Sequence, residues 1–206
     1  MGERLYRKDY YNKKQIKERG WSETLIKKYL KNIEPVEFEG LYRDKPQKCY
    51  LKEIIENIEK QDGFEKELEK VKIRSEYGKL IAEKKKQSNI EELKKHLTSI
   101  TIEKLDDKEL MDCTLRAKQD WYFDTNQYDY YDVYSAPPET KQRWVVNFIR
   151  HNLTEYDDYI DNIYRKVGVG ELYNILHNYV LDLISEKYPK YKDECKRQKE
   201  YNRDNQ

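Results

Sequence analysis

The chain has 206 residues, of which 39% are charged, 37% hydrophobic and 13% aromatic, with a net charge of +1 and a mean hydropathy of -1.17. No run of about 18 apolar residues occurs, and the opening MGERLYRKDYYNKK lacks the apolar stretch of a secretory signal, so a soluble cytoplasmic protein with no membrane partner is expected. Leu, Ile, Val and Phe number 17, 16, 8 and 4, just above the roughly 20% level that marks disorder when net charge is high, so the chain folds with little core to spare.

Helical periodicity dominates. A short helix over about 13–19 stops at Gly20, and Ser22 is the N-cap of a second helix whose apolar face is Leu25, Ile26, Tyr29 and Leu30. Residues 35–50 switch to alternation: Val36, Phe38 and Leu41 precede a turn at Asp44-Lys45-Pro46, and Cys49-Tyr50 follow it, which predicts a two-stranded hairpin. Leu51, Ile54, Ile55 and Ile58 mark a third helix ending before Gly63. From Phe64 to about Lys86 the chain is rich in Lys and Glu, with a thin stripe of Phe64, Leu68, Val71, Leu80 and Ile81, as in a solvated connecting helix. Gln87-Ser88-Asn89 reads as a break and as the domain boundary.

The second half predicts a helical bundle. Asp106 or Asp107 caps a helix carrying Leu110, Met111, Leu115 and Trp121, and residues 122–136 break regular structure. Pro137-Pro138 opens a helix presenting Trp144, Val145, Phe148 and Ile149. Thr154 caps the next, with Tyr156, Tyr159, Ile160 and Ile163, which Gly168 stops. Gly170 opens the most apolar helix, from Leu172 to Ile184, and Pro189 closes it before a charged last helix. The expected organisation is mainly α: a module with a short β-hairpin over 1–62, a charged connecting helix over 63–88 and a helical domain over 89–206.

The net charge hides an asymmetry. Residues 1–100 hold 25 Lys+Arg against 19 Asp+Glu, and the remainder holds 16 against 21. A basic front facing a polyanion is joined to an acidic back. The twenty tyrosines supply bulk that Leu and Val normally provide, and Cys49, Cys113 and Cys195 fit neither a disulfide framework nor a zinc site. No cofactor is implied.

Within 13–60, the succession of helix, Gly20 turn, helix, hairpin and helix, with GWSETLIKKYL and then KCYLKEII, resembles the MerR and excisionase type of winged helix-turn-helix domain. Gly20, Ser22, Ile26-Lys27-Lys28-Tyr29 and Tyr50 occupy positions comparable to that family's turn glycine, N-cap, recognition helix and post-wing aromatic. Leu25 stands where the family usually has Thr, Lys27 where it has Arg, and the Gly-Tyr-Arg wing signature is missing; these departures bear on base readout more than on fold. The resemblance implies a non-enzymatic DNA-binding regulator of bacterial, phage or mobile-element type.

The residues make a parallel case. Ser22 and Thr24 at a helix start, with Lys27, Lys28 and Lys31 beyond, aim N–H groups and ammonium charges at phosphates, and Arg43, Lys45 and Lys48 place a basic hairpin beside them. Glu23, Glu34, Glu37 and Glu39 interrupt that field, so an ordinary solvated face also accounts for the lysines.

Two further constellations lie in the back half. FIRHNLTEYDDYI over 148–160, continuing through GVGELYNILHNYVLDLISEKYP, resembles a segment that recurs in uncharacterised bacterial proteins. Arg150 and His151 near a helix C-terminus, with Asp157 and Asp158 in the next helix's first turn, fit a structural corner. They also fit a metal-independent ribonuclease-like cluster, His151 oriented by Asp157 and Arg150 on a phosphate. The acidic loop with Asp124, Asp129 and Asp132 matches no calcium-loop spacing and lacks glycine. Its Tyr128, Tyr130 and Tyr131, with Asp132, read either as a contact surface for another protein or a second copy, or as residues buried against the bundle. An inhibitor or adaptor that binds a nucleic-acid-handling protein, of anti-defence type, is the rival to DNA binding.

Overall fold

Asn12 starts the first helix through a capping box: its side chain accepts from the Gln15 N–H and the Gln15 side chain accepts from the Asn12 N–H, both at 2.9 Å. This helix, α1 (Lys13–Glu18), ends where Gly20, at φ +95°, takes the left-handed conformation that turns the chain. Ser22 then caps α2 (Glu23–Leu30) by accepting from the Leu25 N–H at 3.2 Å. The computed structural model from which these contacts come describes residues 7–40, 43–125 and 132–204. These residues are mainly α-helical and carry one small sheet.

The sheet is antiparallel in the order β1-β3-β2, from β1 (Tyr10–Asn12), β2 (Val36–Gly40) and β3 (Arg43–Leu51). Tyr10 faces Leu51, and Val36 faces Cys49. The predicted hairpin is present, but its turn is not at Asp44-Lys45-Pro46. Gly40 pairs with Arg43, so those three residues lie within β3. The register shifts between Phe38 and Gly40, opposite Pro46, and β1 reaches only as far as Cys49. Pro46, which has no N–H to donate, is tolerated at such an irregular, unpaired stretch. β3 leads into α3 (Lys52–Glu59).

The chain divides into two compact units, residues 1–81 and 82–206. The first has a core of Ile16, Trp21, Leu25, Ile26, Leu30, Ile55, Ile58 and Phe64. Trp21 anchors it: its ring lies 4.8 Å from that of Phe64 and 6.0 Å from that of Tyr29, and its Nε1–H donates to Glu59 Oε1 at 2.9 Å. Glu59 also accepts from Arg19, which holds the Glu59 carboxyl below the usual carboxylate range.

Phe64 opens α4 (Phe64–Leu97), a single helix of 34 residues. The expected break at Gln87-Ser88-Asn89 does not occur. Asn89 is buried, and its Nδ2–H donates to the Val167 carbonyl at 3.0 Å, so a residue that commonly competes with helix here serves tertiary structure instead. Within the first unit α4 contributes Phe64, Leu68 and Val71, whereas Ile73, Tyr77, Leu80 and Ile81 are exposed. In the second unit it contributes Ile90, Leu93 and Leu97.

The second unit continues with α5 (Asp107–Asp124), capped by Asp106, which accepts from the N–H groups of Lys108 and Glu109. Helix therefore persists past Trp121 into the segment expected to be irregular. After a 3-10 turn at Val133–Ser135 come α6 (Pro138–Asn152), α7 (Tyr156–Ile163), α8 (Val169–Lys187) and α9 (Lys192–Asp204). Pro138 is the first residue of α6, as its missing N–H favours. Thr154 falls one residue before the N-cap of α7, yet its hydroxyl accepts from the Tyr156 N–H at 3.1 Å. Helix α8 is central, with Leu172, Leu176, Val180, Leu181 and Ile184 fully buried. Among the described residues no helix is long and apolar enough to cross a membrane.

Gly168 does not stop α7, which ends at Ile163; it is the N-cap of α8, at φ +82°. A Cβ there would overlap the side chain of Lys86, which is tied to Glu83 and Glu171 at 3.1 Å. Gly168→Ala is expected to cost about 1–3 kcal/mol, from the left-handed backbone plus displacement of Lys86, as read by urea denaturation. An unchanged midpoint would contradict this reading.

Candidate functional site

The solvent side of α2 gathers most of the lysines singled out in the sequence. Lys13, Lys27, Lys31 and Lys48 surround a groove of about 480 Å³ floored by Ile26, Leu30 and Tyr50. Lys27 on α2 and Lys31, its C-cap, lie one turn apart and are exposed, and among the described residues neither has a carboxylate partner. Lys48 is only loosely balanced by Glu37, at 3.9 Å. Lys13 and Lys17 converge on Glu23, at 2.9 and 2.6 Å, and their hydrogen bonds hold the Glu23 carboxyl down to about 2.

The other sequence candidates are distributed differently. Ser22 is committed to capping and Thr24 is exposed two residues later. Lys28 does not line the groove: it is paired with Glu67 of α4 at 2.5 Å, which raises the Lys28 ammonium above its ordinary range. The side chains of Arg43 and Lys45 lie outside the described residues. Tyr128, Tyr130 and Tyr131 do as well, whereas Asp132 is exposed and caps the following 3-10 turn by accepting from the Tyr134 N–H at 3.0 Å.

A second cluster, in the second unit, is built around Arg150. Helix α6 buries this side chain to 9% exposure, and none of its described partners is a carboxylate. Its guanidinium instead donates to His151 Nε2 at 3.3 and 3.2 Å, to His177 Nδ1 at 3.3 Å, to Gln198 Oε1 at 3.2 Å and to Asn147 Oδ1 at 3.1 Å. A guanidinium can only donate, so both imidazoles accept at the facing nitrogen, which fixes their tautomers. His151 then carries its proton on Nδ1 and donates it to Asp157 Oδ1 at 2.7 Å.

The sequence-predicted trio of Arg150, His151 and Asp157 is thus brought together, with His151 hydrogen-bonded at both ring nitrogens. That arrangement joins the end of α6 to the start of α7 and occupies the lone pair that a general base would use. Among the described residues no group of three or more His, Cys, Asp or Glu side chains is placed to hold a metal ion.

Sequence reasoning did not single out His177, Tyr173, Arg143, Arg197 or Gln198, which with Arg150 line a cavity of about 710 Å³. His177 is 3% exposed and accepts at Nδ1 from Arg150 and from the Tyr156 hydroxyl, at 3.3 and 3.2 Å. Burial first, then the Arg150 charge, pushes the His177 imidazole down to about 4, so it is neutral at physiological pH. The visible signal was a Tyr and a His one turn apart, breaking the apolar run of α8. No protein-family model, curated protein or solved structure matches the chain.

Proposed function

We propose that the protein is a cytoplasmic, winged-helix-type DNA-binding regulator whose first unit engages the phosphate backbone through α2. The observation that carries this reading is the groove where Lys27 and Lys31, free of carboxylates among the described residues, converge with Lys13 and Lys48. The glycine-turned pair α1 and α2, followed by a hairpin and α3, supports it. Ammonium groups without internal partners gain most from phosphates, because contact releases condensed counterions without breaking an ion pair. Lys28, Lys13 and Lys17, already neutralised by Glu67 and Glu23, contribute less. The acidic back half is then the part that meets another protein or a second copy.

Fluorescence anisotropy with a labelled duplex, repeated from about 50 to 200 mM salt, tests the reading. Lys27→Ala with Lys31→Ala is expected to lower the salt slope by about 2 and affinity by roughly tenfold at low salt, because each lost phosphate contact removes about 0.9 from the slope. Lys28→Ala should have a smaller effect. No duplex binding at low salt, or binding that ignores the double substitution, overturns the proposal.

A further inference from the structure

The cavity beside Arg150 is walled by three helices, each contributing residues one or two turns apart. Helix α6 supplies Arg143, Asn147 and Arg150 and, in its exposed first turn, Glu139; α8 supplies Tyr173 and His177, and α9 supplies Glu194, Arg197 and Gln198. One feature of this wall calls for an anion. A buried guanidinium is costly unless neutralised, and Arg150 meets only neutral acceptors among the described residues, all at 3.1–3.3 Å. Charge-assisted hydrogen bonds to carboxylates or phosphates are shorter, at about 2.7–2.9 Å, so these contacts leave stabilisation unclaimed.

The neighbouring His177 adds an orphaned donor, which is buried and makes no claim on the ligand. His177 accepts at Nδ1, so its proton is on Nε2, and that buried nitrogen has no hydrogen-bond partner among the described residues. The carboxylate deepest in the wall, Glu194, is already occupied by Arg197 at 3.0 Å and by the Gln198 amide at 2.9 Å. Arg143 is exposed at the rim, with no carboxylate partner among the described residues.

Size and shape narrow the anion. A volume of about 710 Å³ is far larger than inorganic phosphate needs and falls in the range of small-molecule sites, roughly 300–1,000 Å³. Tyr173 stacks on His177, with ring centroids 5.5 Å apart and planes 15° apart, and it is 37% exposed and lines the cavity, so it offers aromatic surface to a planar ring. Stacking on an aromatic face tolerates any base.

We infer that this cavity binds a free nucleoside monophosphate, its phosphate on Arg150 and Arg143 and its base on Tyr173. The phosphate displaces the weak contacts of Arg150 to Asn147 and Gln198. The site is confined to the second unit, and its existence does not depend on DNA binding by the first.

Isothermal titration of the full chain with AMP, GMP, CMP and UMP, and separately with adenosine and inorganic phosphate, tests this. At least one nucleotide should bind, at least tenfold more tightly than adenosine or inorganic phosphate. Arg143→Ala, at the exposed rim, should weaken it about fivefold, and Tyr173→Leu should weaken nucleotide but not inorganic phosphate. Arg150→Lys, which keeps the charge and loses the fork, should weaken it tenfold or more, and circular dichroism establishes that this variant is folded. No binding by any of the four, equal binding of adenosine, or indifference to Arg143→Ala and Tyr173→Leu overturns the inference. Tighter binding of a 5′-phosphorylated trinucleotide than of the free nucleotides overturns the assignment to a free nucleotide.

Discussion

Trp21→Ala is expected to unfold the first unit in the full chain while the second stays folded. Among the described residues the main core cluster of the first unit has eight buried members, and Trp21, 2% exposed, is the largest of them. Truncating a buried Trp costs about 3–5 kcal/mol, from lost transfer energy plus the cavity left behind. A unit of this size has a total stability of roughly 4–12 kcal/mol, at about 0.05–0.15 kcal/mol per residue. The substitution also removes the indole N–H from Glu59, leaving that carboxylate to Arg19. Trp21→Phe keeps a ring against Phe64 and Tyr29 and should cost less, about 1–3 kcal/mol, chiefly through the lost donor and the smaller ring. Amide hydrogen exchange distinguishes the two units in one sample. In Trp21→Ala, protection in α1, α2 and α3 should collapse while α8 keeps its own; unchanged protection in α1–α3 would refute the assignment of Trp21 as anchor.

That anchor was only partly legible in the sequence, and the reason is range. The Gly20 turn and the Ser22 cap follow from rules that act over three or four residues, and both stand in the structure. The indole's bond to Glu59 joins residues 38 apart, which periodicity cannot encode. Strand β1 failed for the same cause: three residues, Tyr10–Asn12, show no alternation, and their pairing partners are about 40 positions away in β3. Asn89 misled in the opposite direction. Its chemistry argues for a break wherever a backbone group is free, and only the Val167 carbonyl, 78 positions on, explains why the helix continues.

The candidate sites divide along the same line. Lys27 and Lys31 were legible because residues four apart share one helix face, whereas the pairing of Lys28, which lies outside their groove, is decided by Glu67 on another helix. Trp121, expected on an apolar face, is 47% exposed, with the Lys118 ammonium 3.5 Å from its ring centroid. Arg150 read as a helix-end cation favoured by the dipole; its burial against His177 and Gln198 requires α8 and α9 to fold back on α6. Side chains that act through one helix were readable, and those that act through three were not.

The three-helix wall around Arg150 has a consequence for acid stability. His177 is neutral when folded because burial and the Arg150 guanidinium lower its imidazole from 6.5 to about 4. The unfolded chain therefore binds a proton between these values that the folded chain refuses, so stability falls as pH drops from 6.5 towards 4 and is fully present above 6.5. The complete shift corresponds to about 3 kcal/mol, of which about 2 kcal/mol is lost between pH 7 and pH 5. Carboxylates held low, such as Glu23 and Glu59, lose their contributions only below their ordinary value of 4.5, so the interval from pH 7 to pH 5 sets them aside, and the comparison with a His177 variant assigns the loss among the histidines. Urea denaturation followed by amide protection in α8, which lies in the second unit, should show that loss. His177→Gln, whose amide oxygen can still accept from Arg150 and Tyr156, should flatten the dependence over the same interval. A wild-type midpoint that does not move between pH 7 and pH 5, or a His177→Gln midpoint that falls as steeply as wild type, would show that this imidazole is not the group refusing the proton.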